Sequence, residues 1–166
     1  MSQAANTIAV PTTRFGDLDV DTSKIIDFPK GILGFEANGR FILIEQDDVK
    51  PFVYLQSLDD PSLAFIVVEP RLVFPNYKVQ IEPQEIADLN VKDINNISMW
   101  VIITVPEDVQ RMSANLQGPL LINQENNCGK QVVLVRSPYT TRHYLMDEFA
   151  KSRPDGAPVS HETVRA

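Results

Sequence analysis

Residues 40–68 read RFILIEQDDVKPFVYLQSLDDPSLAFIVV, and this stretch decides the fold. It contains three short apolar runs, at residues 41–44, 52–55 and 64–68. Each run is rich in β-branched or aromatic residues and has the length of a strand. Asp59-Asp60-Pro61 lies between the last two runs and is typical of a turn. Strand-length runs separated by turn-forming residues predict an antiparallel meander.

The same pattern continues on both sides of this stretch. Further strong runs occupy residues 100–105, 120–122 and 132–135, and weaker ones residues 14–20, 24–28, 78–81 and 109–115. About ten strands is a number that tends to close an antiparallel sheet. The predicted fold is therefore mainly β, a small antiparallel, closed or nearly closed β-barrel of about ten strands.

Two short helices complete the predicted fold. Residues 83–89 begin with Pro83 and carry acids near their start, which suits the first turn of a helix. Residues 140–149 place Tyr144, Leu145 and Phe149 on an apolar stripe. We expect this second helix to seal one end of the barrel.

The length and composition predict one domain. The chain has 166 residues, of which 43% are hydrophobic, enough for one well-buried core. Residues 1–12 and 150–166 are rich in small, polar and Pro or Gly residues without apolar periodicity, so both are predicted to be flexible ends. The single domain is predicted to span residues 13–149.

The charge pattern argues against nucleic acid as a direct partner. The chain has 15 Lys and Arg against 22 Asp and Glu, a net charge of −7, and its basic residues are scattered. Binding along a phosphate backbone requires a positive patch.

The sequence predicts a cytoplasmic protein that is not bound to membranes. It has a single cysteine, Cys128, and it lacks both a signal-like start and an apolar run of membrane length.

Residues for catalysis are sparse, and we predict neither an enzyme nor a bound cofactor or metal. The two histidines, His143 and His161, do not form a metal-binding cluster. A Cys–His nucleophilic pair would have to consist of Cys128 and His143. Cys128 lies in a predicted hairpin turn, however, where an exposed structural residue is expected. The alternative is a small barrel hydrolase or sugar-binding protein that uses surface carboxylates such as Glu107-Asp108. An oligonucleotide-binding barrel is opposed by the acidic balance.

Ordered blocks of sequence resemble the flagellar assembly factors of the FliW family. The blocks read IIDFPKGILGFE at residues 25–36, PFVYLQSLDDP at 51–61, LAFIVVEP at 63–70, ANLQGPLLIN at 114–123 and QVVL at 131–134. Tyr139 and Arg142 close the pattern, which covers roughly residues 14–145 in the order and spacing of the family. Gly118 stands where Ala is commoner in the family, and Asn127-Cys128 stand where a basic residue is frequent.

The resemblance implies a non-enzymatic, cytoplasmic function with two protein partners. It implies that the chain binds flagellin as a chaperone and binds the translational repressor CsrA, which is thereby prevented from silencing flagellin messenger RNA. An acidic chain is compatible with a basic RNA-binding partner. Apolar flagellin helices would instead require an exposed hydrophobic groove. The free protein is expected to be a monomer.

Three kinds of residue are predicted to contact these partners. Acids that lie near strand ends are predicted to face CsrA: Glu36, Glu45, Asp47, Asp48, Asp59, Asp60 and Glu69. Phe35 and Phe74 lie in Gly- or Pro-flanked segments and are candidates for exposed aromatic anchors. Asn115, Leu116 and Asn123 form either a partner surface or a structural corner in which Asn side chains satisfy buried backbone groups.

Overall fold

The computed structural model describes residues 6–151. Of the predicted flexible ends, 1–12 and 150–166, residues 1–5 and 152–166 lie outside the described residues, and residues 150–151 are helical. The strands are β1 Thr7–Thr12, β2 Gly16–Asp21, β3 Ile26–Asp27, β4 Arg40–Glu45, β5 Val53–Ser57, β6 Ala64–Val68, β7 Ile97–Thr104, β8 Ser113–Ala114, β9 Leu120–Asn123, β10 Cys128–Gln131 and β11 His143–Tyr144. The helices are α1 Pro83–Ile86 and α2 Leu145–Lys151.

Seven of these strands form a closed barrel, which confirms the predicted fold class. The pairing order is β7, β6, β5, β4, β3, β10 and β9, and β9 pairs again with β7. The first half of β7 pairs with β9 and the second half with β6, so this one strand closes the barrel. The pairs are antiparallel except for β3 with β10, which are parallel at Asp27 and Cys128.

Alternate residues of the barrel strands fill its interior. Phe41, Leu55, Val67 and Leu120 are fully buried there, and Phe28 packs edge-on against Phe41 with 5.5 Å between the ring centroids. Neighbouring residues on the same strands face outward, as the two-residue period of a strand requires. A second core forms outside the barrel and contains Leu145 of α2. The expectation that this helix seals a barrel end is therefore wrong.

The hairpin of β1 and β2 covers the outside of the barrel at β4. Val10 and Val20 are buried against Ile42. The expectation that residues up to 12 form a flexible end is therefore wrong for residues 7–12. The apolar run of this segment is only Ile8-Ala9-Val10, but the segment pairs in register with β2 from Thr7 to Thr12, and Val10 buries its side chain.

Three predicted elements have different boundaries or backbone forms. Residues 78–81 are not in a strand, and residues 109–111 form a 3-10 helix that leaves only Ser113–Ala114 as strand. Residues 132–135 alternate between buried and exposed side chains, as a strand would, but outside β10 they make only isolated backbone bonds, such as that from Val132 N–H to the Pro119 carbonyl.

The predicted helices are shorter than their sequence patterns. The first is α1 followed by a 3-10 turn, Ala87–Leu89. The second begins only at Leu145, because His143 and Tyr144 pair with β8 as strand β11. Tertiary pairing therefore replaces the first part of the predicted helix.

Gly129 provides a test of barrel packing. An ideal Cβ at this residue would lie 2.6 Å from Cζ of Phe28, in the barrel interior. We expect Gly129→Ala to lower the free energy of unfolding by about 1–3 kcal/mol, since the Phe28 ring has to move within a packed core. Urea unfolding followed by circular dichroism measures this change.

Gly39→Ala is the matched control. Its Cβ would meet only the Phe28 carbonyl oxygen, at 3.7 Å, which is an ordinary contact. Equal unfolding midpoints for Gly129→Ala and Gly39→Ala would contradict the role assigned to the contact of Phe28 with Gly129.

Candidate partner-binding surfaces

The loop between β3 and β4 folds over one end of the barrel. Gly31 has a φ of +69°, and a Cβ there would lie 2.5 Å from the Glu36 Cα, so only glycine permits this close turn. The turn buries Ile32 and leaves Leu33 69% exposed. Phe35 packs edge-on against Phe65 of β6, with 5.0 Å between ring centroids, and stays 40% exposed.

This loop forms one wall of an apolar groove of about 660 Å³. The groove is lined by Arg14, Ile32, Leu33, Phe35, Ala64, Phe65, Ile66, Ile102, Ile103, Thr104, Val105, Asn115 and Gln131. Leu33, Phe35 and Val105 are its exposed apolar residues. Exposed apolar side chains that line one groove are typical of protein-binding sites. The sequence interpretation singled out only Phe35 and Asn115 among these residues.

The two predicted aromatic anchors have different environments. Phe35 lies in the apolar groove, as described above. Phe74 is only 5% exposed and packs in the second core, near the His143 ring. The prediction that Phe74 is exposed is therefore wrong. A turn at Pro70–Leu72 directs the chain inward, and the Phe74 N–H donates to the Pro70 carbonyl at 2.7 Å.

The seven predicted acids separate into two groups at opposite ends of the barrel. Antiparallel pairing places Phe41 beside Ser57 at one end and Glu45 beside Val53 at the other. Asp59 and Asp60 lie two and three residues after Ser57 and are therefore at the first end. Glu36 lies in the loop at that same end, next to Phe35.

The acids at the first end are engaged within the chain. Asp59 accepts hydrogen bonds from the Gly39 and Arg40 N–H groups and pairs with the Arg40 guanidinium at 3.1 Å. Burial alone would raise the pKa of Asp59, but these donors outweigh it and hold the pKa below its ordinary value. The Ser62 hydroxyl and N–H likewise lower the pKa of Asp60, and the Gly34 N–H lowers that of Glu36. These carboxylates stabilise turns.

The acids at the second end form an exposed group that we call the acidic end: Glu45, Asp47, Asp48 and Glu69. Val53 pairs with Val67, so Glu69, which follows β6, lies at the same end as Glu45. Asp47 forms an ion pair with Lys50 at 3.0 Å, with the carboxylate 96% exposed. Such an exposed pair contributes little to stability and leaves the carboxylate accessible.

The Asn115, Leu116 and Asn123 block is mainly a structural corner. Leu116 and Asn123 are almost completely buried. Asn123 Nδ2 donates to the Leu89 carbonyl at 2.9 Å, and its Oδ1 accepts from the Glu125 N–H at 2.9 Å. Asn115 Oδ1 accepts from the N–H groups of Gln117 and Gly118, and this residue also borders the apolar groove.

The titratable residues considered for catalysis lie in separate places. Cys128 is the first residue of β10, not part of a turn, and burial, with Asp88 and Asp27 nearby, raises the pKa of its thiol. His143 lies in β11, where its Nε2 accepts the Thr140 N–H at 2.9 Å. Burial is the main cause that lowers the pKa of His143.

Within residues 6–151, no group of three or more His, Cys, Asp or Glu side chains could hold a metal ion. None of the helices described there is long and apolar enough to cross a membrane. Asp108 and Asp147 line a cavity of about 250 Å³ together with Arg111. No acid lines the larger apolar groove.

Comparison with known proteins identifies the family. The model of the family described as FliW protein matches residues 9–145. The chain belongs to the FliW family. The match includes β1 and β2, and it extends through β11 to Leu145.

Named FliW relatives cover most of this chain. The flagellar assembly factor FliW of Alkaliphilus metalliredigens is 38% identical over 141 residues, which are 84% of this chain and 87% of that protein. The flagellar assembly factor FliW of Geobacter sulfurreducens is 38% identical over 147 residues, 89% of this chain and 92% of that protein. A crystal structure of the flagellar assembly factor FliW superimposes with a TM-score of 0.77 at 33% identity, covering 82% of this chain and 96% of that one.

The structural reading of Asn123 is testable. Asn123→Ala removes one donor and one acceptor from a fully buried position. We expect the free energy of unfolding to fall by about 1–3 kcal/mol, since the Leu89 carbonyl and the Glu125 N–H each lose a partner. Asn95→Ala, at an exposed position, is the control and should change stability by less than about 0.5 kcal/mol. An unchanged urea midpoint for Asn123→Ala would contradict this structural role.

Proposed function

We propose that this chain is a cytoplasmic, non-enzymatic flagellar assembly factor that binds flagellin as a chaperone and also binds CsrA. By occupying CsrA it relieves the repression of flagellin messenger RNA. The apolar groove is the observation that carries the proposal, because it exposes apolar side chains on a chain whose relatives are named flagellar assembly factors. The free protein is a monomer in this proposal.

The groove suits an apolar helix of flagellin. Leu33, Phe35 and Val105 present exposed apolar surface along a groove between the β3–β4 loop and the ends of β6 and β7. An amphipathic helix binds by laying its apolar face in such a groove, with residues three and four apart as anchors. The helix thereby loses the exposed apolar surface that would otherwise promote aggregation in the cytosol.

CsrA is assigned to the acidic end. Glu45, Asp47, Asp48 and Glu69 are exposed, and they occupy the barrel end away from Asp59. A basic RNA-binding protein would be attracted to these charges, and added salt would weaken that attraction. The turn-forming acids Glu36, Asp59 and Asp60 are already engaged by donors of this chain and are less suited to a partner.

A titration with both partners tests the proposal as a whole. Isothermal titration of the purified chain with CsrA and with flagellin from the same organism, at low and high salt, measures each affinity. A competition experiment then determines whether flagellin releases CsrA. The proposal predicts binding to both partners, mutual displacement, and salt dependence mainly for CsrA. Binding to neither would contradict it.

Leu33→Asp tests the groove. Leu33 is 69% exposed, so a charge there leaves the core intact but places a carboxylate against an apolar partner face. We expect flagellin affinity to fall by at least about tenfold, because an unpaired charge has to be desolvated on binding. Fluorescence anisotropy with labelled flagellin measures the dissociation constant.

Ile94→Asp is the matched control for this variant. Ile94 is 67% exposed and precedes β7, at the end of that strand away from Val105. If flagellin affinity falls equally in Leu33→Asp and Ile94→Asp, or if it falls in neither variant, the flagellin site lies elsewhere.

Charge reversal tests the acidic end. The double variant Glu45→Lys/Asp48→Lys should weaken CsrA binding by at least about tenfold and flatten its salt dependence, since it opposes the charge of the partner. The control Glu107→Lys/Asp147→Lys changes the net charge equally at other exposed positions. If both double variants change the CsrA affinity and its salt dependence to the same extent, the effect is one of net charge only.

A further inference from the structure

A small cavity, which we call the apolar cavity, lies on the outer face of the barrel. It has a volume of about 170 Å³ and is lined by Val49, Phe52, Val53, Tyr54, Ile66, Val105 and Met112. Tyr54 and Ile66 are cross-strand neighbours in β5 and β6. Ile66, Phe52 and Met112 also pack against the second core, which lies outside the barrel.

The walls of the apolar cavity reach the protein surface. Val105 is 44% exposed, and Val49, Phe52, Tyr54, Ile66 and Met112 are half-buried. Only Val53 in this lining is buried. A side chain of another molecule can therefore contact the cavity from outside.

The size and lining of the cavity suit one apolar side chain. An engineered cavity of about 150 Å³ holds a benzene ring, whereas sites for drug-sized ligands and cofactors measure about 300–1,000 Å³. Apart from Tyr54, the side chains that line it are entirely apolar. It thus fits an aliphatic or aromatic side chain of a larger partner better than a free polar ligand.

Carboxylates of the acidic end adjoin this cavity directly. Val49 is the last residue of a 3-10 helix that begins at Asp47, so Asp48 is its neighbour in the chain. Glu45 pairs across the strands with Val53. Cross-strand neighbours have Cβ atoms about 4.5–5.5 Å apart. The cavity and these carboxylates can therefore contact the same few residues of a partner.

These charges indicate which kind of partner fills the cavity. Lys50 is engaged by Asp47 at 3.0 Å, and within the described residues neither Glu45 nor Asp48 forms an ion pair. A side chain that enters the cavity brings its neighbours in the partner close to these two carboxylates. Lys or Arg at such positions would be attracted, whereas Asp or Glu would be repelled.

We propose that the apolar cavity receives one aliphatic or aromatic side chain, flanked by Lys or Arg, from the basic partner of the acidic end. The inference rests on the proposed assignment of CsrA to the acidic end and adds an apolar contact to it. The charges steer the partner, and the buried side chain supplies affinity. Because Ile66 and Val105 line both the cavity and the apolar groove, a partner seated here also covers part of the groove wall.

Val49→Asp separates the cavity from simple charge attraction. Val49 lines the apolar cavity but not the apolar groove. The variant adds a negative charge beside Asp48, so charge attraction alone would strengthen CsrA binding. A filled cavity predicts the opposite, a loss of at least about tenfold, because the apolar side chain of the partner would be buried against a carboxylate. Isothermal titration at low and high salt measures both quantities, and the salt dependence should not decrease.

Two further variants complete the test. Val135→Asp adds the same charge at an 83% exposed position outside both linings, and it should not weaken CsrA binding. Val105→Asp changes a residue shared by the cavity and the groove, so it should weaken CsrA and flagellin alike. Thermal melts verify folding, and Val105→Asp carries the test if Val49→Asp is unfolded.

Four outcomes would overturn the inference. If Val49→Asp binds CsrA at least as tightly as the wild type, while Glu45→Lys/Asp48→Lys still weakens binding, the acidic end stands without the cavity. If Val49→Asp weakens flagellin binding and not CsrA binding, the cavity belongs to the partner in the groove. If the free chain sediments as a dimer that Val49→Asp converts to a monomer, a second copy fills the cavity. If CsrA does not bind the wild-type chain, the acidic-end proposal fails, and the cavity contact fails with it.

Discussion

The double pairing of β7 is the constraint on which the rest of the structure depends. Ile97–Trp100 pair with β9, and Val101–Ile103 pair with β6, so one strand joins the two edges of the sheet. Closure leaves no free edge in the barrel and gives its strands two buried surfaces. The inward residues form the barrel interior, while Val101 and Ile103 form part of the second core outside it. Closure also brings the end of β7 beside the start of β6, where the apolar groove lies.

The sequence alone predicts the barrel because strand-length runs and turn residues are local signals. Residues 41–44, 52–55 and 64–68 all correspond to barrel strands, with boundaries that differ by at most two residues and agree fully for β6. The sequence does not reveal β1, because its apolar run, Ile8-Ala9-Val10, is short and its stability comes from pairing with β2 and from burial of Val10. The start of the second helix was misplaced because pairing of β11 with β8 overrides local helical pattern.

The surfaces were harder to predict because they depend on register and on contacts distant in sequence. The apolar groove combines a loop near Leu33 with strand ends near Phe65 and Val105, and no local pattern joins these segments. The one available signal was an apolar residue, Leu33, in a glycine-flanked turn. The sequence predicts one set of partner-binding acids, but the register of β4 with β5 separates them into a turn-forming group and the acidic end.

This separation gives the two proposed partners chemically distinct sites. The apolar groove is lined by one cation, Arg14, and by no acid, so it has little attraction for a basic partner. The acidic end also has apolar surface nearby, because Leu72 is 60% exposed and Val49, Phe52 and Val53 line the apolar cavity of about 170 Å³. That cavity shares Ile66 and Val105 with the apolar groove. Mutual exclusion of the partners does not follow from the charge difference alone. It requires either partners large enough to overlap or a change carried by β6, the strand that runs from Ala64 in the groove to Glu69 at the acidic end. Because β6 is paired on both sides within a closed barrel, it resists displacement, and steric overlap is the simpler source of exclusion.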